Sequence, residues 1–202
     1  MPQKVIKEYF IYTYDELSAE AKQKAREWYT SDNNHVPHDW YEDVYNIFKE
    51  MHADPIGLDI EQMSFSGFYS QGDGAAIVQA SIDLEKMINH IYTHDCPDKK
   101  HLLKLVRLEA FTASVIPYNF GYSSYSHGQV SIDLNLNYNK LKRATKLIDW
   151  FEKRLENKIK ELEQQLYKDL ESDYEGFSED ETVEDNIIAN EYTFDEQGNR
   201  KD

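Results

Sequence analysis

A single cysteine, Cys96, stands in a chain of 202 residues, so no disulfide can form within it, and a reducing compartment is expected. Basic side chains are also short: 22 Lys and Arg face 38 Asp and Glu, a formal net charge of −16. Proteins grip a nucleic-acid backbone with cations that displace its condensed counterions, so direct nucleic-acid binding is not expected here. An acidic field repels phosphates and draws basic proteins instead. No apolar run approaches the roughly 18 residues needed to span a bilayer. The stretch MPQKVIKEYF lacks the apolar segment of a secretory signal. Together these shortages predict a cytoplasmic protein without a membrane partner.

What the chain does hold is enough apolar matter for a core, 40% of residues with 13% aromatic. Its charge is unevenly spread. Residues 1–100 carry 9 basic and 18 acidic side chains, residues 101–170 carry 11 and 8, and residues 171–202 carry 2 and 12. The last segment, with few aliphatic residues and no clear period, predicts an acidic, partly disordered extension following a single domain over 1–170. Its acids Glu179, Asp180, Glu181, Glu184 and Asp185 form a candidate surface for a basic partner. Ile187, Ile188, Tyr192 and Phe194 would dock such an arm.

Periodicity orders the elements. Lys4 to Tyr14 is rich in β-branched and aromatic residues and reads as a first strand. Ser18 then caps a helix with Ala21, Ala25, Trp28 and Tyr29 at helical spacing, and Asp39 caps a second one carrying a stripe of Trp40, Val44, Ile47, Phe48 and Met51. After Gly57 the period changes to two: LDIEQMSF and AAIVQASIDL flank SQGDG as a hairpin. Two short helices follow, and then a second hairpin whose last strand alternates Val130, Ile132, Leu134 and Leu136 with polar residues. From Asn139 to Leu170 apolar residues recur at steps of three and four, a helix of about 45 Å. Its C-terminal part, Ile159 to Leu170, is expected to project and to seek a partner helix, which allows a homodimer.

The two hairpins resemble each other. Gly67-Phe68-Tyr69-Ser70 followed by Gly74 aligns with Gly121-Tyr122-Ser123-Ser124 followed by Gly128, and each leads to Ser-Ile-Asp-Leu, at Ser81–Leu84 and Ser131–Leu134. Residues repeated in this way set the shape of turns, where Asp and Ser bond their own backbone. Asp73, the one loop acid framed by glycines, is a candidate binding residue beside Ser70 and Gln71, though an Asp-Gly turn accounts for it with fewer assumptions. The aromatic neighbours Phe68, Tyr69, Tyr122 and Tyr125 are the better candidates for contact with a ligand or partner.

Other constellations are weaker. The glycines around SQGDG lack the Lys-Ser/Thr of a phosphate-binding loop and lead into a strand, so that function is excluded. His90, His94, Cys96 and His101 fall within twelve residues, but their spacing matches no ordinary zinc signature. No catalytic residue, metal site or cofactor is expected.

Three blocks in order, LSAEAKQKAREWY, DWYEDVYNIFKE and SFSGFYSQGDGA, resemble those of small acidic proteins from bacteriophage and prophage genomes. The resemblance spans roughly Leu17 to Leu136. It implies a phage setting, in which small non-enzymatic proteins often blunt host defences. At the second hairpin the family carries a Gly-His-Tyr-x-His-like run, of which this chain keeps only His127.

The expected fold is therefore α+β: an antiparallel sheet from two related hairpins plus an N-terminal strand, flanked by helices, with a long C-terminal helix and an acidic tail. The expected function is that of an acidic interaction protein that imitates nucleic acid on the basic surface of a host protein. Sequestration of a small nucleotide by the aromatic hairpins and a metal-dependent hydrolase are the alternatives.

Overall fold

The computed structural model describes residues 10–31, 35–118, 126–135 and 142–201. The chain divides into two compact units rather than a domain with a tail. One runs from Tyr41 to Glu171, and the other joins the residues up to Trp40 to those from Ser172 onward.

The larger unit opens with helix α2 (Tyr41–Phe48). Its buried row is Val44 and Phe48, while Tyr41 and Tyr45 pack against Phe65 at ring-centroid distances of 5.5 and 6.5 Å. The expected stripe is thus split. Ile47 and Met51 are 61% and 67% exposed, because the 41/44/45/48 row, not the 40/44/47/51 row, faces the sheet. The helix runs on through a π turn, Lys49–Ala53, and a 3-10 turn, Asp54–Ile56, to Gly57.

Four strands follow as an antiparallel sheet in chain order: β1 (Leu58–Phe65), β2 (Ala75–Ile82), β3 (Phe111–Tyr118) and β4 (His127–Leu134). Helices α3 (Leu84–Ile91) and α4 (Pro97–Arg107) connect the two hairpins. The hairpins are not equivalent copies. Asp83 of the first Ser-Ile-Asp-Leu caps α3 by accepting the Lys86 N–H, whereas Asp133 of the second stays in β4 opposite Thr112.

The hairpins meet at a narrow seam. β2 and β3 pair only through Ala80 with Val115 and Ser81 with Ser114, although β3 and β4 pair along their whole length. Beyond the seam the second hairpin folds across the first: the Ser126 N–H donates to Ser64 Oγ at 3.0 Å, and the Ser64 hydroxyl donates to the Ser126 carbonyl at 3.2 Å. Gly128 makes this crossing possible. A methyl group there would collide with the Ile77 carbonyl and lie 2.6 Å from Val115 Cγ1. As a result Ala75 to Val78 are buried residue after residue, with no alternation.

Helix α5 (Lys142–Gly176) spans about 52 Å at 1.5 Å per residue. Phe151 meets Phe111 edge-on, Glu163 bonds β2, Tyr167 meets Phe68, and Asp169 pairs with His52 at 3.8 Å. Its apolar row is buried throughout, including Ile159, Leu162, Leu166 and Leu170. The segment expected to project is therefore covered within the chain.

The smaller unit packs α1 (Ala19–Ser31) with α6 (Asp180–Ala189) and a short hairpin, β5 (Thr193–Phe194) with β6 (Arg200–Lys201). Its core is Tyr14, Leu17, Ala21, Ala25, Val183, Ile187 and Phe194. The segment read as a partly disordered extension thus supplies a helix and three core side chains, with Val183 and Ile187 four residues apart on one face of α6. Ile188, by contrast, is exposed. Of the expected first strand, residues 4–9 lie outside the described residues. Within Phe10 to Tyr14, Tyr12 exchanges two 2.9 Å backbone bonds with Phe194 and, among the described residues, joins no longer ladder. A 3-10 turn, Tyr14–Glu16, follows at once, fixed by the Glu16 carboxylate accepting the Thr13 N–H at 2.8 Å.

The crossing of the hairpins predicts that Gly128→Ala destabilises the protein by about 3 kcal/mol, because backbone and a β-branched side chain must both give way. Urea unfolding followed by circular dichroism measures this; a loss under about 0.5 kcal/mol would contradict the close approach.

Candidate functional site

The tip of the first hairpin is a self-bonded turn. The Asp73 N–H donates to the Ser70 carbonyl at 3.1 Å, with Gly72 at φ +94° in the third position, the arrangement of a type II turn. The turn is therefore Ser70 to Asp73, and Asp73-Gly74 is not its centre. Asp73 accepts the Ser70 N–H at 2.6 Å and the Ser66 hydroxyl at 3.3 Å. Phe68 stacks on Phe65 at 5.9 Å and tilts against Tyr167 at 5.5 Å, so its ring holds the tip to α5. Tyr69 is 74% exposed and meets the Phe68 edge at 6.3 Å. Tyr122 and Tyr125 lie outside the described residues.

Beside this tip a cleft of about 410 Å³ opens between the hairpin and α5, lined among others by Asp73, Lys160, Glu163, Gln164, Tyr167 and Lys168. A smaller one, about 180 Å³, lies on the β4 side, and Lys160 and Glu163 line both. Glu163 is the pivotal group. Ile77 lies outside the two pairs that join β2 to β3, and Glu163 Oε1 accepts its N–H at 3.2 Å. Burial pushes this carboxyl up to about 7, against the lowering by the Ile77 N–H and by Lys160. Tyr167 is anchored by its hydroxyl, which donates to the Phe68 carbonyl at 3.2 Å. In the neighbouring aromatic cluster burial, reinforced by Tyr41, pushes the Tyr45 phenol up to about 12.

Sequence reasoning passed over Glu163 and Tyr167. The signal was present: 160, 163, 164, 167 and 168 form one helical row beside the apolar 159/162/166/170 row. It looked like an ordinary solvated flank, since nothing in the sequence shows that β2 is short of a partner there.

The acidic candidates divide. Arg26 bonds Glu184 Oε1 at 2.6 Å and pairs with Asp180 at 3.4 Å, and the Tyr14 hydroxyl donates to Glu184 at 2.9 Å. Those two acids serve the smaller unit's own packing. Glu179 sits at the N-cap of α6 without a side-chain cap bond, and Glu181 and Asp185 lie exposed along that helix. Counted over the sequence, the smaller unit holds 18 acidic and 7 basic side chains in 71 residues, and the larger holds 20 and 15 in 131.

The histidine cluster is not brought together. His90 lines a cavity with Arg154, Lys158 and Glu161 of α5; Cys96 caps α4, its Sγ accepting the Lys99 N–H at 3.4 Å. Among the described residues no group of three or more His, Cys, Asp or Glu side chains is placed to hold a metal ion. None of their helices is long and apolar enough to cross a membrane.

A four-stranded antiparallel sheet with a long helix laid along it defines an α+β protein. The family described as Domain of unknown function (DUF8835) matches residues 40–180, a span that contains the whole larger unit, and the chain belongs to that family. No curated protein and no solved structure matches it.

Because the folded carboxyl of Glu163 titrates near 7 and an ordinary one near 4.5, the folded state holds the extra proton between those values. Its contribution to stability is therefore fully present below about 4.5, falls as pH rises, and is lost above about 7, a change on the order of 2 to 3 kcal/mol. Glu163→Gln keeps an acceptor for Ile77 and removes the charge. It is expected to raise the melting temperature at pH 8 and to leave it nearly unchanged at pH 4.5; an equal shift at both would contradict the assignment.

Proposed function

We propose that the protein is an acidic interaction protein without catalytic activity, whose smaller unit occupies the basic surface of a nucleic-acid-binding or defence protein of a host. The observation that carries this reading is the crowding of charge: a net −11 on the 71 residues of one unit, with Glu179, Glu181 and Asp185 on the outer side of α6. A surface with that excess attracts a partner whose own function requires cations, and competes with the phosphates that the partner otherwise binds. The tertiary packing supports the proposal in a second way. Val183, Ile187 and Phe194 are buried, so the acids ride on a formed helix and little ordering entropy is lost on binding. The phage setting rests on the three sequence blocks. Binding through charge needs no cofactor and no metal.

The test is capture from a host lysate at about 0.05 M and about 0.5 M salt, followed by titration of the retained protein with and without duplex DNA. Capture is expected at low salt only, with DNA displacing the acidic protein. Neutralising Glu179→Gln, Glu181→Gln and Asp185→Asn together, at positions outside the Arg26 pairs, is expected to weaken binding roughly tenfold or more. Retention indifferent to both salt and these three changes would refute the reading.

A further inference from the structure

We propose that the cleft between the first hairpin and α5 is a binding site for a nucleoside monophosphate or a ligand of the same build, a planar ring joined to an anionic group. Four features of the cleft lead to this class, and none of them depends on the acidic unit.

Size comes first. At about 410 Å³ the cleft lies at the small end of the range in which ligand pockets fall, roughly 300 to 1,000 Å³, a size that suits one nucleotide. The second feature is charge. Lys160 and Lys168 line the cleft about 12 Å apart along the helix axis, and its two acids are engaged, Asp73 by the Ser70 N–H and the Ser66 hydroxyl and Glu163 by the Ile77 N–H. A free phosphate could be held by either lysine but is too small to use what lies between them. An elongated monoanion or dianion can put its charged end on one lysine and its body along the row toward the other.

The third feature is what lies between the lysines. Tyr167 offers an aromatic ring whose position is fixed at the hydroxyl by Phe68 and on the ring by contact with the Phe68 side chain. A ring held in this way loses little freedom when a base stacks on it, and stacking tolerates any base. The fourth is a polar edge. Glu163 uses Oε1 on Ile77, and among the described residues no hydrogen bond engages Oε2. Gln164 supplies a second hydrogen-bonding group one residue along, able both to donate and to accept. A carboxyl that carries a proton part of the time can do either as well, which matches the mixed donors and acceptors of a nucleobase. A cationic ligand would face both lysines, and a purely apolar one would leave the Glu163 and Gln164 groups unpaired.

The site also differs from the hairpin tyrosines from which base stacking is expected on sequence grounds. It moves the aromatic contact from the loop tip to Tyr167, a residue of the long helix.

The experiment is isothermal titration of the full chain with GMP, AMP, ribose 5-phosphate and inorganic phosphate. At least one nucleotide is expected to bind with a dissociation constant below about 1 mM, and the two ligands without a base at least tenfold more weakly. Lys168→Ala, at an exposed position, is expected to reduce nucleotide affinity about tenfold, and Tyr167→Ala by at least as much, with circular dichroism confirming that both variants are folded. Should Tyr167→Ala not fold, Lys168→Ala alone decides. Absence of saturable binding by both nucleotides, equal binding of phosphate, or unchanged affinity in Lys168→Ala overturns the proposal. Any of these leaves the charge-driven reading of the smaller unit standing, because that reading is scored by salt dependence and partner capture.

Discussion

The row of apolar side chains on α5, from Ala144 through Phe151 to Leu170, is the constraint on which the larger unit depends. Each large member contributes on the order of 1.5 to 3 kcal/mol when removed from water, and the steps of three and four residues keep all of them on one side of a single helix. Laying such a row along a four-stranded sheet fixes which parts of the sheet the helix reaches. Phe111 is met at one end, Ile77 in the middle and Phe68 near the other.

That placement explains why a carboxyl is found where a hydrophobic residue would be expected. The two hairpins share only two ladder pairs before the second crosses the first, and Ile77, outside those pairs, gives its N–H to the helix. A buried donor without a partner costs roughly 1 to 3 kcal/mol, and Glu163 removes that cost by accepting the bond. In exchange the carboxyl is held half-buried, which raises its affinity for a proton. Glu163 also lines the clefts on both sides. Structural need and chemical opportunity therefore coincide at one residue, and Gly128, which lets the second hairpin cross the first, is the condition for both.

The smaller unit shows a different balance. Its seven-residue core is modest and its charge is high, so internal pairing absorbs part of the acid: Arg26 and Tyr14 take Glu184, and Arg26 reaches Asp180. The turn before β6 uses another, where Asn199 side-chain bonds, with lesser help from its N–H and from Lys201, hold Asp195 down at about 2. The acids that remain on the outside of α6 are those that the fold itself does not use. Among the residues singled out in the sequence, Asp73 likewise serves its own turn, and Phe68 serves packing.

By itself the sequence determined the local elements. β1 runs from Leu58 to Phe65 and α3 from Leu84 to Ile91 as their periodicity requires, and the steps of three and four along α5 disclosed a long helix with one apolar row. These are properties of neighbouring residues, and local sterics and spacing are enough to set them. Only the tertiary structure decided what depends on distant pairs. It gave the acidic C-terminal segment a core to join, through Ile187 and Phe194 against α1, and it covered the Ile159 to Leu170 row within the chain. It also turned Glu163 from one acid among many into the partner of Ile77. That last change depends on where a strand 86 residues earlier runs short of hydrogen bonds, and no local pattern around Glu163 carries that information.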